Sequence, residues 1–85
     1  MSELNDLFQK ALKDVKSLGT KPNDDTLLSL YSFYKQATDG DVTGERPGFF
    51  DFAGAAKFDA RENIKGMDSD EAMQKYIDAV NKLIG

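Results

Sequence analysis

The sequence predicts an all-α protein built from four helices. Apolar residues recur at i, i+3, i+4 and i+7 in several segments, which is the spacing of an amphipathic helix. Residues typical of helix caps, together with glycine and proline, separate these segments. No segment shows the strict apolar–polar alternation of a half-buried strand. With 85 residues, the chain is expected to form a single domain over positions 1–85.

The first helix is predicted at the start of the chain. Ser2 is a candidate N-cap, and Glu3 and Asp6 suit the first turn because a helix N-terminus carries partial positive charge. Gly19 and Pro22 end the pattern. Its apolar positions are Leu4, Leu7, Phe8, Ala11, Leu12, Val15 and Leu18.

The second helix is predicted to begin at Asn23, with two aspartates in its first turn. Helical spacing divides its residues into three strips. The pattern therefore predicts that Tyr34 lies in the core, whereas Tyr31 and Lys35 lie along an edge. The predicted solvent strip is Asp25, Ser29, Ser32 and Gln36; the core strip is Leu27, Leu30, Tyr34 and Ala37; the border strip is Leu28, Tyr31 and Lys35.

Two more helices follow a structured loop over about 38–52, where glycine, aspartate and "RPG" interrupt the periodicity. A short third helix is predicted over about 54–65, with Gly66 as its stop. The fourth helix begins after Asp68 and Glu71, a pair resembling a capping box. The predicted inward residues are Ala56, Ala60 and Ile64 in the third helix, and Ala72, Met73, Tyr76, Ile77, Val80 and Ile84 in the fourth.

The composition excludes several functional classes. The chain contains neither cysteine nor histidine, so it lacks the thiolate nucleophile, the commonest general base and the commonest metal ligand. We therefore expect a protein that is not an enzyme. The net charge of −4 argues against nucleic-acid binding, which depends on an excess of Lys and Arg.

The location expected from the sequence is the cytosol. The first ten residues, "MSELNDLFQK", are polar and acidic, unlike the basic and then apolar start of a secretory signal. No apolar run approaches the roughly 20 residues that a membrane span needs. We expect a monomer without an integral membrane segment.

The segment "DGDVTG", residues 39–44, resembles the opening of an EF-hand calcium loop. Asp39, Asp41 and Thr43 would supply the first ligands, and Gly44 falls at the sharp turn. However, the twelfth position, which should carry a bidentate glutamate, is Phe50. We therefore interpret the segment as acidic turn residues and expect no metal site.

Tyr31 and Lys35 form the most informative pair in the second helix. Taken alone, a tyrosine on a helix is more often packed than bound to a ligand, and a lone lysine is usually solvated. At i and i+4, however, the two side chains are neighbours on one edge. Leu12 and Lys16 show the same spacing in the first helix. An edge that mixes leucine, tyrosine and lysine suits a ligand with an apolar part and an anionic part.

A long stretch of the sequence has a specific resemblance to a known family. The stretch "KPNDDTLLSLYSFYKQATDGDVTGERPGFFDFAGAAKF" resembles the acyl-CoA-binding protein family, with its KP turn, YxxYKQAT helix and ERPG loop. "KGM" followed by "EAMQKYIDAV" is similar to the family's last helix. The resemblance extends from Phe8 to about Leu83. It implies an antiparallel up-down-down-up bundle of four helices that binds, buffers and transports medium- and long-chain acyl-CoA thioesters.

The resemblance also implies a set of ligand contacts. The family's acyl-CoA-binding positions match Lys16, Tyr31, Lys35, Lys57 and Tyr76. In the family, the positions matching Tyr31, Lys35 and Lys57 hold the adenosine and its 3′-phosphate, and the aromatic matching Tyr76 flanks them. The acyl chain lies in a groove near the residues matching Leu12, Leu27 and Leu28.

The chain departs from the family pattern in and near the third helix. Phe58 and Arg61 stand where the family usually carries tryptophan, and Ala53 and Ala55 stand where it often carries lysine. Fewer lysines should weaken the phosphate end of the site. These departures leave an alternative function open, namely a helical protein-interaction module on the same scaffold with weak or lost acyl-CoA affinity.

Overall fold

The structure is a computed structural model that describes residues 2–85. It contains four helices: α1 (Glu3–Lys16), α2 (Asp24–Asp39), α3 (Phe52–Asn63) and α4 (Ser69–Ile84). The described residues form no strand. The predicted fold class, an all-α up-down-down-up bundle, is confirmed.

Side-chain caps fix the starts of α1 and α2 where the sequence predicts them. The Ser2 hydroxyl accepts a hydrogen bond from the backbone N–H of Asn5 at 3.0 Å. The Asn23 side-chain oxygen accepts one from the N–H of Thr26 at 2.8 Å. Each bond satisfies a donor that the first helical turn would otherwise leave unpaired.

The third helix begins earlier than predicted. It starts at Phe52 because Asp51 is its N-cap, with a carboxylate oxygen accepting from the Gly54 N–H at 2.9 Å. A side chain at position 54 would collide with that carboxylate. Gly54 is therefore part of the cap and not the first helical residue. The helix ends at Asn63, and Gly66, at φ +90°, makes the turn toward α4.

The core lies where α4 packs against both α1 and α2. The ring of Phe8, only 2% exposed, meets the edge of Tyr76 with ring centroids 5.3 Å apart and an interplanar angle of 74°. Edge-to-face contact of this kind is favourable for aromatic rings. The buried cluster consists of Phe8, Ala11, Leu30, Tyr76, Ile77 and Val80.

The faces predicted for α2 are partly wrong. Ser32 and Gln36, placed on the solvent strip, are buried at 3% and 2% exposure, while Tyr34, placed in the core, is 37% exposed. The reason is that α2 packs against α4 on one side and α3 on another. A helix covered by two neighbours lacks the single polar face that periodicity assumes.

The buried polar residues of α2 have local or distant partners. The Ser32 hydroxyl donates to the Ser29 carbonyl at 2.9 Å. The Gln36 amide donates to an Asp41 carboxylate oxygen and to the Met67 carbonyl, both at 2.8 Å. The Gly66 N–H donates to the same Asp41 oxygen at 2.7 Å. These bonds satisfy the Ser32 hydroxyl and the Gln36 amide nitrogen, two groups whose burial would otherwise be costly.

The apolar patterns of the other helices also need small corrections. The fully buried residue of α3 is Ala55, whereas the three residues predicted to point inward are only half-buried. Among the described helices α3 packs against α2 alone, so it buries a narrow strip. Ile84 and Leu7, both assigned to apolar stripes, are 55% and 44% exposed.

No helix within residues 2–85 combines the length and the apolar character that crossing a bilayer requires.

Candidate ligand-binding site

A shallow apolar groove of about 330 Å³ lies between α2 and α3. The two helices contribute residues at helical spacing, so that each presents one strip to the groove. Asp24 stands at the amino end of α2, and a tyrosine and a lysine provide polar groups among apolar neighbours. The lining residues are Asp24, Leu27, Leu28 and Tyr31 from α2, and Ala53, Ala56 and Lys57 from α3.

Tyr31 and Lys57 face each other across this groove. The ammonium nitrogen of Lys57 lies 5.3 Å from the centroid of the Tyr31 ring, within the range of a cation–π contact. Because the two residues come from different helices, the contact exists only when α3 is docked on α2. The structure thus brings together two of the residues that the sequence assigned to the nucleotide.

Lys35 lies one turn after Tyr31 on the same helix. Its ammonium nitrogen is 3.2 Å from a carboxylate oxygen of Asp39, and a third of its side chain is exposed. An exposed i, i+4 pair of this kind is weak, typically about 0.3–0.5 kcal/mol. The ammonium group can therefore exchange the carboxylate for a ligand phosphate at small cost.

The groove continues into a second cavity of about 200 Å³ beyond the Tyr31–Lys57 contact. These two residues line both cavities. The second cavity is more polar than the first, because the loop after α2 and the later part of α3 supply most of its wall. The remaining lining residues are Val42, Thr43, Glu45, Pro47, Gly54, Phe58 and Arg61.

Arg61 lines the second cavity, although its position is not among the ligand-binding positions named from the resemblance. Its guanidinium donates to the Gly40 carbonyl at 3.2 Å, which ties α3 to the end of α2. Arg61 lies one helical turn after Lys57, so the wall of the second cavity carries two cations. The signal available in the sequence was the replacement of the family's usual tryptophan at position 61.

An ion pair holds the loop against α3. The Arg46 guanidinium makes two parallel hydrogen bonds to the Asp59 carboxylate, both at 3.0 Å. This pairing raises the pKa of Arg46 and lowers that of Asp59, in each case mainly through the hydrogen bond itself. Because both residues are exposed, the pair positions the loop more than it stabilises the fold.

Four residues assigned from the resemblance do not line the groove. Tyr76 belongs to the buried cluster and is 5% exposed, and burial raises the pKa of its hydroxyl. Leu12 is half-buried and packs against the same cluster. Lys16 is the exposed last residue of α1. Lys35 is the fourth, on α2 one turn after Tyr31 and paired with Asp39. The remaining assigned residues, Leu27, Leu28, Tyr31 and Lys57, line the groove.

Two other grooves are larger but more open and carry balanced charges. One, of about 450 Å³ between α2 and α4, includes Lys75 and Lys82 together with Asp25 and Asp78. The other, of about 500 Å³, lies near the ends of α1 and α4. The walls of both are more polar than those of the α2–α3 groove, so they suit an apolar chain less well.

The acidic segment after α2 contains the EF-hand-like pattern of residues 39–44. Over residues 2–85 no group of three or more histidine, cysteine, aspartate or glutamate side chains could hold a metal ion. An oxygen of Asp41, a candidate ligand in the EF-hand-like pattern, instead accepts hydrogen bonds from Gln36 and Gly66.

Comparison with known proteins decides the family. The sequence profile described as "Acyl CoA binding protein" matches residues 5–80. This chain belongs to the acyl-CoA-binding protein family. The matched range includes both walls of the groove.

Curated members of the acyl-CoA-binding protein family are similar to the chain over most of their length. The acyl-CoA-binding protein of Saccharomyces cerevisiae is 44% identical over 81 residues, covering 95% of this chain and 93% of the yeast protein. Acyl-CoA-binding protein homolog 1 of Caenorhabditis elegans is 44% identical over 77 residues, with 91% and 90% coverage.

Solved structures of family members share the fold. The crystal structure of acyl-CoA-binding protein 2 from Oryza sativa superposes with a TM-score of 0.88 at 37% identity, covering 95% of this chain and 90% of that one. The crystal structure of an acyl-CoA-binding protein from Moniliophthora perniciosa gives the same TM-score at 40% identity, with 99% and 81% coverage.

Proposed function

We propose that this protein binds medium- and long-chain acyl-CoA thioesters, buffers them and carries them between their sites of production and use. The observation that carries the proposal is the Tyr31–Lys57 contact beside an apolar groove. An acyl-CoA joins an anionic nucleotide to an apolar chain. The site offers a surface for each part, side by side.

The nucleotide end is assigned to Tyr31, Lys35 and Lys57. Lysine acts as a point charge for phosphate, and the tyrosine ring offers a face on which adenine can stack. Lys57 leaves the tyrosine ring and Lys35 leaves Asp39 as the phosphate arrives. Both existing contacts are weak, so the exchange favours the more highly charged ligand.

The acyl end is assigned to the α2–α3 groove. Leu27, Leu28, Ala53 and Ala56 supply its apolar walls. Each methylene removed from water contributes about 0.8 kcal/mol. Small alanine side chains on α3 leave room for the chain, whereas larger residues would fill the groove from within.

Three further contacts are proposed on the family resemblance. Lys16 would add a cation from the end of α1, Tyr76 would flank the nucleotide, and Leu12 would extend the apolar surface. Tyr76 is almost buried, so any contact it makes involves its hydroxyl edge and not its ring face. Because burial raises its pKa, the hydroxyl stays protonated and can donate a hydrogen bond.

The proposed mode of action is binding without chemical conversion. The chain has no histidine or cysteine, and the groove is open along its length, so it does not exclude water as an acyl-transfer site would. We propose a cytosolic carrier that acts as a monomer. The alternative interaction module is not favoured, because the groove and its paired tyrosine and lysine are formed despite Ala53 and Ala55.

Calorimetric titration with palmitoyl-CoA tests the proposal. Free CoA and free palmitate are the controls, because each presents only one half of the ligand. Tight binding is expected only when both halves are joined. If no acyl-CoA of any length produces heat or displaces a fluorescent analogue, the carrier function is wrong and the interaction module takes its place.

A further inference from the structure

Three phenylalanines project from the turn that leads into α3. Phe49, Phe50 and Phe52 are 80%, 87% and 73% exposed. The rings of Phe49 and Phe50 meet edge to face, with centroids 5.2 Å apart. We call these three residues the phenylalanine patch. Contiguous exposed apolar surface on a small protein commonly marks a site of interaction.

The turn that carries the patch is held in place by its own hydrogen bonds. The Asp51 N–H donates to the Gly48 carbonyl at 3.0 Å, and the Asp51 carboxylate caps α3 at Gly54. The Arg46–Asp59 pair fixes the loop just before the turn. The three rings are therefore presented by an ordered turn at the amino end of a helix.

The patch adjoins the groove along the chain. Phe52 immediately precedes Ala53, which lines the apolar groove, and Pro47, which lines the second cavity, lies two residues before Phe49. If the patch inserts into a lipid surface, that surface therefore lies near the opening of the proposed acyl site.

The size of the patch is small for a stable dimer. A fully exposed phenylalanine side chain presents on the order of 150–200 Å², so at their observed exposures the three together present roughly 360–480 Å². A stable interface needs about 800 Å² per partner. Binding to a lipid surface instead grows with the apolar area buried at the interface and needs no such minimum area, so a few inserted rings suffice for reversible attachment.

The charges beside the patch select the type of lipid surface. Glu45 and Asp51 are exposed acidic residues, Arg46 is neutralised by Asp59, and Lys57 is the nearby cation of the groove. The residues named here do not form the basic cluster that attracts a protein to anionic lipid. With a net charge of −4, the protein is repelled by an anionic membrane. A zwitterionic surface is the compatible one.

We propose that the phenylalanine patch docks the protein on zwitterionic phospholipid membranes by inserting its rings into the interface. Docking places the mouth of the groove against the lipid. An acyl chain then passes between bilayer and groove with less exposure to water. The docking itself depends only on the patch; its use in ligand exchange rests on the proposed function.

Fluorescence provides a direct test, because the chain has no tryptophan. Phe50→Trp places a single reporter in the patch, and Ile84→Trp places one at an exposed apolar position on α4. Ligand-free protein is mixed with small unilamellar vesicles of phosphatidylcholine alone. We expect a blue shift in emission for Phe50→Trp and none for Ile84→Trp.

A flotation assay with the same vesicles measures the contribution of the rings. Phe49→Ser/Phe50→Ser should lower the vesicle partition coefficient at least about tenfold, because two rings are lost. Leu7→Ser/Ile84→Ser removes two exposed apolar side chains elsewhere and should leave it unchanged. Circular dichroism and urea unfolding should match the wild type in both double variants, which shows that they fold.

Several outcomes would overturn the proposal. One is the absence of both blue shift and flotation with phosphatidylcholine. Another is binding that requires phosphatidylserine and disappears at high salt, which would indicate electrostatic attraction. A third is a blue shift without vesicles together with dimer formation in sedimentation, which would make the patch an interface between copies. Since these tests use no ligand, none of them depends on whether acyl-CoA binds.

Discussion

The side-chain nitrogen of Lys57 on α3 lies 5.3 Å from the ring centroid of Tyr31 on α2. Both residues line the apolar groove and also the second, more polar cavity. Their contact therefore marks the boundary between the surface suited to an acyl chain and the surface suited to a nucleotide. Both residues are well placed to distinguish the two halves of a ligand.

The ring of Tyr31 should matter more than its hydroxyl. Tyr31→Phe keeps the ring and should change palmitoyl-CoA affinity by only a few-fold, whereas Tyr31→Ala should weaken binding about tenfold to a hundredfold, since a base stacked on an aromatic ring contributes about 1–3 kcal/mol. Calorimetry measures both. Tyr34→Ala, one turn away and outside the groove, is the matched control. Equal losses for Phe and Ala at position 31 would contradict stacking.

The 3′-phosphate of the ligand should contribute strongly to affinity. Charge-assisted hydrogen bonds are worth roughly 1.5–3 kcal/mol each, so palmitoyl-(3′-dephospho)-CoA should bind the wild type one to two orders of magnitude more weakly. In Lys57→Ala the same change of ligand should matter less, because one partner of the phosphate is already absent.

Lys82→Ala is the matched control for this experiment, because Lys82 lines the separate groove between α2 and α4. This variant should keep the full sensitivity to the phosphate. A wild-type protein that binds both ligands equally would rule out the assignment of Tyr31, Lys35 and Lys57 to the nucleotide, even if acyl chains still bound.

Tyr76 and Tyr34 should differ in their contributions to stability. Tyr76 is 5% exposed and packs against Phe8, so Tyr76→Ala should lower the free energy of unfolding by about 3–5 kcal/mol. Tyr34 also stacks near Phe8, at 6.2 Å, but is 37% exposed; its truncation should cost about 1–2 kcal/mol. Urea unfolding compares the two. The reverse ranking would restore the core position that periodicity predicts for Tyr34.

Tyr76→Phe separates packing from ligand contact at the same position. It keeps the buried ring and removes only the hydroxyl. If that hydroxyl donates to the nucleotide, acyl-CoA affinity should fall while stability changes little. Unchanged affinity would limit Tyr76 to a role in the core.

The starts of α1 and α2 could be predicted because they depend on neighbouring residues. Ser2 and Asn23 cap donors three residues away, and such pairs are visible in the sequence. The faces of α2 could not be predicted in the same way. Gln36 is buried because its amide reaches the carbonyl of Met67, 31 residues along the chain. Periodicity treats a polar residue as exposed and contains no information about a distant partner.

In the candidate site, too, contacts within one helix could be predicted from the sequence pattern, and contacts between helices could not. Helical spacing alone places Tyr31 and Lys35 on one edge of α2, because both lie on one helix. Helical spacing does not predict the contact between Lys57 and Tyr31. The apolar pattern of α3 is weak, and its own residues do not indicate which helix it packs against. That pairing followed from the family resemblance. Arg61 shows the limit of the resemblance, because no family role applies to an arginine at that position.

Asp41 should make the fold sensitive to acid. Its pKa is lowered, first by the hydrogen bond from Gln36 and then by that from the Gly66 N–H. A lowered pKa in the folded state stabilises the protein above the ordinary value of 3.8, and this contribution is lost as the pH falls through the folded-state pKa below it.

Asp41→Asn tests this dependence because asparagine keeps an acceptor oxygen but does not titrate. The variant should be less stable than the wild type at neutral pH, and the difference should shrink as the pH falls below 3.8. Urea unfolding over a pH series measures it. Parallel curves for the two proteins down to the most acidic point would show that the Asp41 carboxylate contributes no pH-dependent stability.

The attachment of α3 has a consequence for the dynamics of the molecule. Among the described helices α3 packs only on α2, while Arg46–Asp59 and Arg61–Gly40 bind it to the preceding loop. We therefore expect the loop and α3 to open together as one unit, separately from the core formed by α1, α2 and α4. Amide hydrogen exchange in the loop and α3 should be faster than in the core. A ligand bound in the groove should slow exchange most in this unit, because it would hold α3 against α2.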